Sequence, residues 1–247
     1  MKITAFNGSP NGESGNTNVM VTAFLKGAEA SGAEVENIFL VNKEINHCKG
    51  CYSCLFSGQG KCSIEDDMKD LMSKFIESDI VVFATPLYVH NVSGMLKVFM
   101  DRSLCIGSPG YEKDENGEYR GRKSKRYRNG IPPKIVVISS CGRPDRSNFQ
   151  FISLLMKKVA KDHYTELVAE IYATEGMLLT AGIKELEPII NGYKELLYKA
   201  GQEIVINMKL SGETQKLLEK NFRPTDIYVQ GLNKLADVPW QVLSNLP

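Results

Sequence analysis

Five short apolar runs recur along the chain, each closed by small or polar residues. They are Lys2–Phe6, Glu34–Val41 (through Val35, Ile38 and Leu40), Asp79–Ala84, Lys134–Ser140 and Leu167–Tyr172. Asp79-Ile80-Val81-Val82-Phe83-Ala84 is apolar without alternation, as a parallel strand buried on both faces must be. Between the runs the apolar residues fall at helical spacing. Val19, Met20, Ala23, Phe24 and Ala28 form one such set. Further helices are predicted from Asp66-Asp67-Met68 to Phe75-Ile76, from near Ser93 through Leu96, Phe99 and Met100, and through Leu154, Leu155 and Val159. A long one is predicted from Ile183 to Met208. Carboxylates open the second helix, where the helix dipole favours them. Strands alternating with helices predict a doubly wound α/β fold. Two stretches break the rhythm. Residues 105–132 contain Asn116-Gly117, a hairpin signal, and residues 209–247 mix Pro, Asn and apolar residues without a period.

Composition narrows the class. The chain has 247 residues, 43% hydrophobic and 24% charged, with a net charge of +1. That supports a sizeable core and gives no global field toward nucleic acid or membrane. No apolar run approaches the length of a membrane span. The chain enters a strand at once, without a signal-peptide pattern, so the expectation is a cytoplasmic protein. Six cysteines in a chain of this length do not make a disulfide framework.

The first strand runs into Asn7-Gly8-Ser9-Pro10-Asn11-Gly12-Glu13-Ser14-Gly15-Asn16-Thr17 and then into a helix. A small polar loop before a helix gathers backbone N–H groups and the positive dipole end at one point, which suits a phosphate. An N-capped βα loop would use some of the same residues. The G-x-x-x-x-G-K-[ST] and G-x-G-x-x-G loops are both missing, and the loop holds no lysine. A single terminal phosphate therefore fits better than ATP or a pyrophosphate. In the order 2-1-3-4-5 of a doubly wound sheet, a flavin sits outside the ends of strands 1 and 3. Strand 3 ends in Thr85-Pro86-Leu87-Tyr88-Val89-His90-Asn91, which could carry a flat ring.

Cys48, Cys51, Cys54 and Cys62 give the spacing C-x2-C-x2-C-x7-C. Four thiolates so close can ligate a [4Fe–4S] cluster. Tetrahedral zinc and a loop of reduced thiols stay open beside it. Gly50, Gly58 and Gly60 allow the tight turns that either metal needs. Arg120, Arg122, Lys123, Lys125, Arg126 and Arg128 read as a solvated hairpin face, or as a receiver for the phosphates of NADPH or an acidic partner. His47, His90 and His163 are isolated, and Lys97 and Arg102 are expected in helix-end and surface roles. Cys141 with Arg143 and Arg146 lacks the spacing of a phosphatase loop, and Asp66 and Asp67 do not follow an apolar strand as a phospho-acceptor would.

Taken together, these residues resemble the flavodoxin-like NAD(P)H-dependent FMN reductases, and among them the iron–sulfur flavoprotein branch. Three stretches carry the likeness: Gly8-Ser9-Pro10 with Gly15-Asn16-Thr17; Thr85–Tyr88 with Ser93–Lys97 and Asp101-Arg102; and the four-cysteine segment with Asp66-Asp67-Met68. Where that family often carries Arg after Ser-Pro, this chain has Asn11-Gly12. The resemblance implies a three-layer sandwich with five parallel strands in order 2-1-3-4-5. It assigns an FMN phosphate to Ser9, Asn16 and Thr17, with backbone N–H groups from Pro10 to Asn18, including Asn11 and Ser14, assisting. It puts the isoalloxazine against Pro86, Leu87, Tyr88 and Val89, at the loop that leads to Gly94. Cys141 and Gly142, at the end of strand 4, could complete the wall, although Cys141 reads equally well as a buried small hydrophobe.

The expected activity is hydride transfer from NAD(P)H to FMN, then electron delivery to a quinone, free flavin or redox protein, with no side chain needed as acid or base. The alternative is an iron–sulfur flavoprotein that carries electrons through FMN and a [4Fe–4S] cluster without nicotinamide turnover. Residues 1–208 are expected as one FMN-binding domain with the insert 105–132. Residues 209–247 would be an extension packed on that domain or on a partner subunit of a homodimer or homotetramer.

Overall fold

A computed structural model of the chain describes residues 1–57 and 60–238; Gly58 and tail positions 239–247 lie outside the described residues. The strands are β1 (Lys2–Asn7), β2 (Glu34–Phe39), β3 (Ile80–Pro86), β4 (Tyr111–Lys113), β5 (Tyr119–Gly121), β6 (Lys134–Ser140) and β7 (Leu167–Ala173). Five of them form one parallel sheet in the order β2-β1-β3-β6-β7. The numbering departs from the expected 2-1-3-4-5 because β4 and β5 are interposed in the chain as a separate antiparallel hairpin. Its turn has Gly117 at φ 78°.

The helices are α1 (Asn16–Ala30), α2 (Ser53–Phe56), α3 (Met68–Glu77), α4 (Gly94–Arg102), α5 (Gln150–Asp162), α6 (Glu187–Asn207), α7 (Gly212–Leu218) and α8 (Thr225–Ala236). The carboxylates expected to open α3 lie just before it, where Asp66 accepts the N–H of Met68 at 3.1 Å. The pattern from Ile183 does not become α helix until Glu187, with a proline in the first turn, where the missing N–H costs nothing. The unpatterned tail folds as α7 and α8. Among the described residues no helix is long and apolar enough to cross a membrane.

Helices cover both faces of the sheet. Phe6, Phe75 and Phe99 bring β1, α3 and α4 together on one face, with the Phe6 and Phe99 ring centroids 4.5 Å apart. On the other face α1 and α6 cross at unusually short range. A Cβ on Gly27 would lie 1.8 Å from the Tyr198 carbonyl oxygen, and one on Gly201 2.0 Å from that of Phe24. Leu218, Phe222 and Tyr228 of the tail join the same core as Leu197 and Ile204 of α6.

The insert is anchored to the body rather than presented wholly to solvent. Arg120 lies 3.8 Å from the Tyr164 ring centroid, Arg128 pairs with Asp79 at 2.5 Å, and Tyr127 is buried against His163.

Candidate functional site

The carboxyl ends of β1, β3 and β6 converge, and hydrogen bonds join the loops that leave them. Gly8 N–H donates to the Ala84 carbonyl at 2.8 Å, and Leu87 N–H to that of Ser140 at 2.8 Å. The Ser93 hydroxyl donates to the Gly8 carbonyl at 2.7 Å and accepts the Leu96 N–H, so one side chain caps α4 and fastens the first loop to it. Ser93 N–H is itself held by the Thr85 hydroxyl at 2.9 Å. The phosphate-type loop and the ring-type loop thus share one rim, at the switch point of the sheet.

The first loop is compact. A Cβ on Gly8 would lie 2.7 Å from Leu96 Cβ, and one on Gly15 2.6 Å from Ser9 Oγ. Ser9 is buried; its N–H donates to Asn7 Oδ1 and its Oγ accepts the Asn11 N–H. Ser14 turns its hydroxyl to the Asn11 carbonyl, and Pro10 and Asn11 are exposed. Asn16 Oδ1 accepts from Thr180, and the Asn18 amide holds Glu13, Thr22 and Asn37. Asn18 therefore shapes the loop with its side chain. Thr17 is 1% exposed, and its Oγ1 has no hydrogen-bond partner among the described residues; neither has Nδ2 of the buried Asn7. The N–H groups of Asn16 and Thr17, in the first turn of α1, also have no acceptor among them, as helix geometry requires. Neutral donors gathered at a helix N-terminus are the chemistry that holds a phosphate dianion, so these residues fit the phosphate of FMN.

In the second loop Pro86 and Leu87 are half-buried, and Tyr88 pairs with Asn91 around a two-residue turn. Val89 and His90 both sit at positive φ, 47° and 61°, and Val89 is 94% exposed. A β-branched residue there is strained, and such strain gathers at functional sites. Nothing occupies the space a Gly94 Cβ would fill. At the third loop Cys141 is buried and its thiol donates to the Arg143 carbonyl, so it packs as a small core residue. Burial pushes that thiol up. Gly142, by contrast, is exposed at the rim.

The four cysteines share one surface loop. Cys48 and Cys51 are exposed, Cys54 and Cys62 half-buried. Ser53, through its hydroxyl and N–H, and then the Ser63 hydroxyl lower the Cys51 thiol to about 7, whereas burial and the neighbouring Cys62 raise that of Cys54. Among the described residues no three His, Cys, Asp or Glu side chains stand close enough to hold a metal ion. The donor set suits a cluster, but its geometry here does not form a site. What the structure does fix is the base of the loop. Arg102 donates to both Asp66 carboxylate oxygens, at 2.5 and 2.9 Å, and to the Asn46 carbonyl at 2.7 Å, while Asn46 N–H donates to Asp66. The Arg102 and Asp66 side chains are 1% and 0% exposed, so Arg102 is a buried clamp and not the surface cation expected from sequence. Helix α4 therefore joins the ring-type loop at its start to the cysteine loop at its end. Arg126 also contributes here, donating to the carbonyls of Cys105 and Gly107.

Asn7, Ser93 and Arg102 escaped the sequence reading as site residues. Their partners are long-range or buried, and only the Asn at a strand end and the Ser before a helix gave a local signal.

Residues 1–122 match the family model described as NADPH-dependent FMN reductase. The chain is 37% identical over 145 residues to an iron–sulfur flavoprotein of Archaeoglobus fulgidus, covering 59% of this chain and 58% of that one. It is 41% identical over 109 residues to an iron–sulfur flavoprotein of Methanocaldococcus jannaschii, covering 43% and 55%. The chain thus spans a little over half the length of these relatives. The fold is similar to that of an FMN-dependent NADH-azoreductase from Bacillus anthracis solved in complex with FMN, with TM-score 0.59, 15% identity and coverage of 83% and 99%. It is also similar to an NAD(P)H:quinone oxidoreductase from Methanothermobacter marburgensis, with TM-score 0.57, 18% identity and coverage of 83% and 96%. At such identities the structural likeness bears on the fold.

Proposed function

Through its first 122 residues the chain belongs to the NADPH-dependent FMN reductase family, and on that premise we propose that it is an FMN-dependent oxidoreductase that takes hydride from NAD(P)H. The observation that carries this is the Thr17 hydroxyl, buried and without a hydrogen-bond partner among the described residues, at the N-terminus of α1 beside a loop that Gly8 and Gly15 allow to pack closely. In this proposal Ser9, Thr17 and the N–H groups of Asn16 and Thr17 hold the phosphate, with Asn7 adding a donor. Asn11, Ser14 and Asn18 keep the loop in shape. Pro86, Leu87, Tyr88 and Val89 flank the ring on one side and Gly142 on another, and the open approach over Gly94 leaves room for a second flat ring. When bound, FMN supplies the hydride and electron chemistry. The protein holds it, orients it and limits water, and no side chain is assigned as acid or base.

The acceptor class is a quinone, a free flavin or a redox protein. Homodimer or homotetramer assembly and a cytoplasmic setting belong to the same proposal. Purified protein is expected to take up FMN and show flavin absorption, and to oxidise NADPH faster when a quinone is added. A protein that stays colourless after incubation with FMN rules the proposal out.

A second reading, an electron carrier without nicotinamide turnover, is favoured by the four thiols on one clamped loop and by the names of the relatives. Iron and sulfide near four each per chain after anaerobic purification, with no NADPH oxidation, would select it. Background iron with zinc present would give the cysteine loop a structural role.

A further inference from the structure

The loop after β6 is gripped from behind. Four successive carbonyls are taken by groups outside it. Gly176 N–H donates to Cys141 O at 2.7 Å, Tyr228 Oη–H to Gly142 O at 2.5 Å, Glu175 N–H to Arg143 O at 3.1 Å and Asn221 Nδ2–H to Pro144 O at 3.3 Å. Two of those donors belong to the C-terminal tail, and two to the turn after β7. The N–H groups of Gly142 and Arg143 donate to no acceptor among the described residues.

Glu175 is the pivot of this arrangement. It is 0% exposed and holds a left-handed conformation at φ 55°, a strained state that surroundings must enforce. Its Oε2 accepts the N–H groups of Phe222 and Arg223, at 3.0 and 3.1 Å, while Oε1 has no partner among the described residues. Burial pushes this carboxyl up. The neighbouring Thr174 hydroxyl donates to Asn221 Oδ1 at 2.8 Å, and the Phe222 ring packs edge-on against Tyr193. One buried carboxylate thus fastens the tail segment 221–223, which leads into α8 and its Tyr228 at Gly142. All of this lies beyond the segment that matches the family model, which ends at residue 122.

We propose that Glu175 and Tyr228 are positioning residues for the FMN site: they dock the C-terminal tail behind the 141–144 loop, engage its carbonyls there, and leave the N–H groups of Gly142 and Arg143 for the cofactor. The inference rests on the FMN proposal above. A buried carboxylate is suited to the task because it accepts two backbone N–H groups at once, which a neutral apolar residue cannot do.

The test is FMN titration of apo-protein, followed by quenching of flavin fluorescence and by the absorption spectrum of the bound flavin, with circular dichroism of each apo variant as the measure of fold. Tyr228→Phe removes one hydroxyl and leaves the ring that fills the core. It should weaken FMN binding about three- to tenfold and shift the bound-flavin spectrum at unchanged dichroism. Glu175→Ala should weaken it further, and Glu175→Gln, which still accepts from Phe222 and Arg223, should recover most of the loss. Wild-type affinity and spectrum in both Tyr228→Phe and Glu175→Ala overturn the assignment while leaving the FMN site standing. Wild-type protein that takes up no FMN overturns the FMN site and this inference with it.

Discussion

Asp66 gives up water entirely and keeps its charge because Arg102 meets it with two hydrogen bonds. Burial by itself raises the carboxyl. The Arg102 hydrogen bonds, the N–H groups of Asn46 and Met68 and the Arg102 charge overrule it, and hold the group at about 2 rather than 3.8. The unfolded chain takes up the proton near 3.8 and the folded chain only near 2, so this stabilisation, about 2 kcal/mol, is complete above about pH 5 and is lost as pH falls through 2. Asp66→Asn strands the arginine and should cost about 3–5 kcal/mol at pH 7. Urea unfolding at pH 7 and pH 3 should show the gap to wild type narrowing by about 1 kcal/mol; an equal gap at both would mean that the ion pair does not titrate as described. At the first loop, Ser9→Ala with Thr17→Ala should weaken FMN binding by about 1–3 kcal/mol for each charge-assisted bond lost. Unchanged affinity would move the phosphate elsewhere. The loop that carries Ser9 and Thr17 is legible in sequence because strand, small loop and helix follow one another within a few residues. Arg102 is not, because Asn46 and Asp66 reach it only through the fold.

Elements were recognisable wherever a period ran long enough, as in β3, β6 and α1, and less so where packing set the rule. Nothing near Gly27 or Gly201 in sequence announces that each lies under the other helix's backbone. The consequence can be measured inside one helix. Gly201→Ala would drive a methyl to 2.0 Å from the Phe24 carbonyl oxygen, forcing α1 and α6 apart at about 2–3 kcal/mol, a fall in Tm of roughly 5–10 °C. Gly192→Ala, also in α6, meets nothing within 4 Å and should raise stability by about 0.5–1 kcal/mol through helix propensity alone. Equal effects at the two sites would show that close helix approach is not what Gly201 provides. The hairpin 111–121 was legible from Asn116-Gly117. Its anchoring by Arg120, Tyr127 and Arg128 was not, because charged and aromatic residues look alike on a free and a docked surface.

At the scale of the whole molecule, the tail decides whether the third loop of the site has a fixed shape. Its helices escaped the sequence pattern because each is short and buries only a few side chains, and those few fill a gap beside α6 and β7. Leu218, Phe222 and Tyr228 are all buried there, at about 1.5–3 kcal/mol each. Their sum rivals the entire stability of an ordinary domain. A chain ended at residue 208 should therefore be unfolded or aggregate at 25 °C by circular dichroism and light scattering, with Tyr193 and Glu175 opened to solvent. Bound FMN works in the opposite direction. At a free concentration one hundred times its Kd, it should stabilise the full chain by about 2.7 kcal/mol, a rise in Tm of roughly 5–10 °C, and less at lower concentration. That gain is smaller than the loss from removing the tail, so FMN should not rescue the shortened chain. A 1–208 chain that folds with the full chain's Tm and FMN response would show that loop 141–144 keeps its shape without the tail, and would place the whole of the site in the sheet and its first two loops.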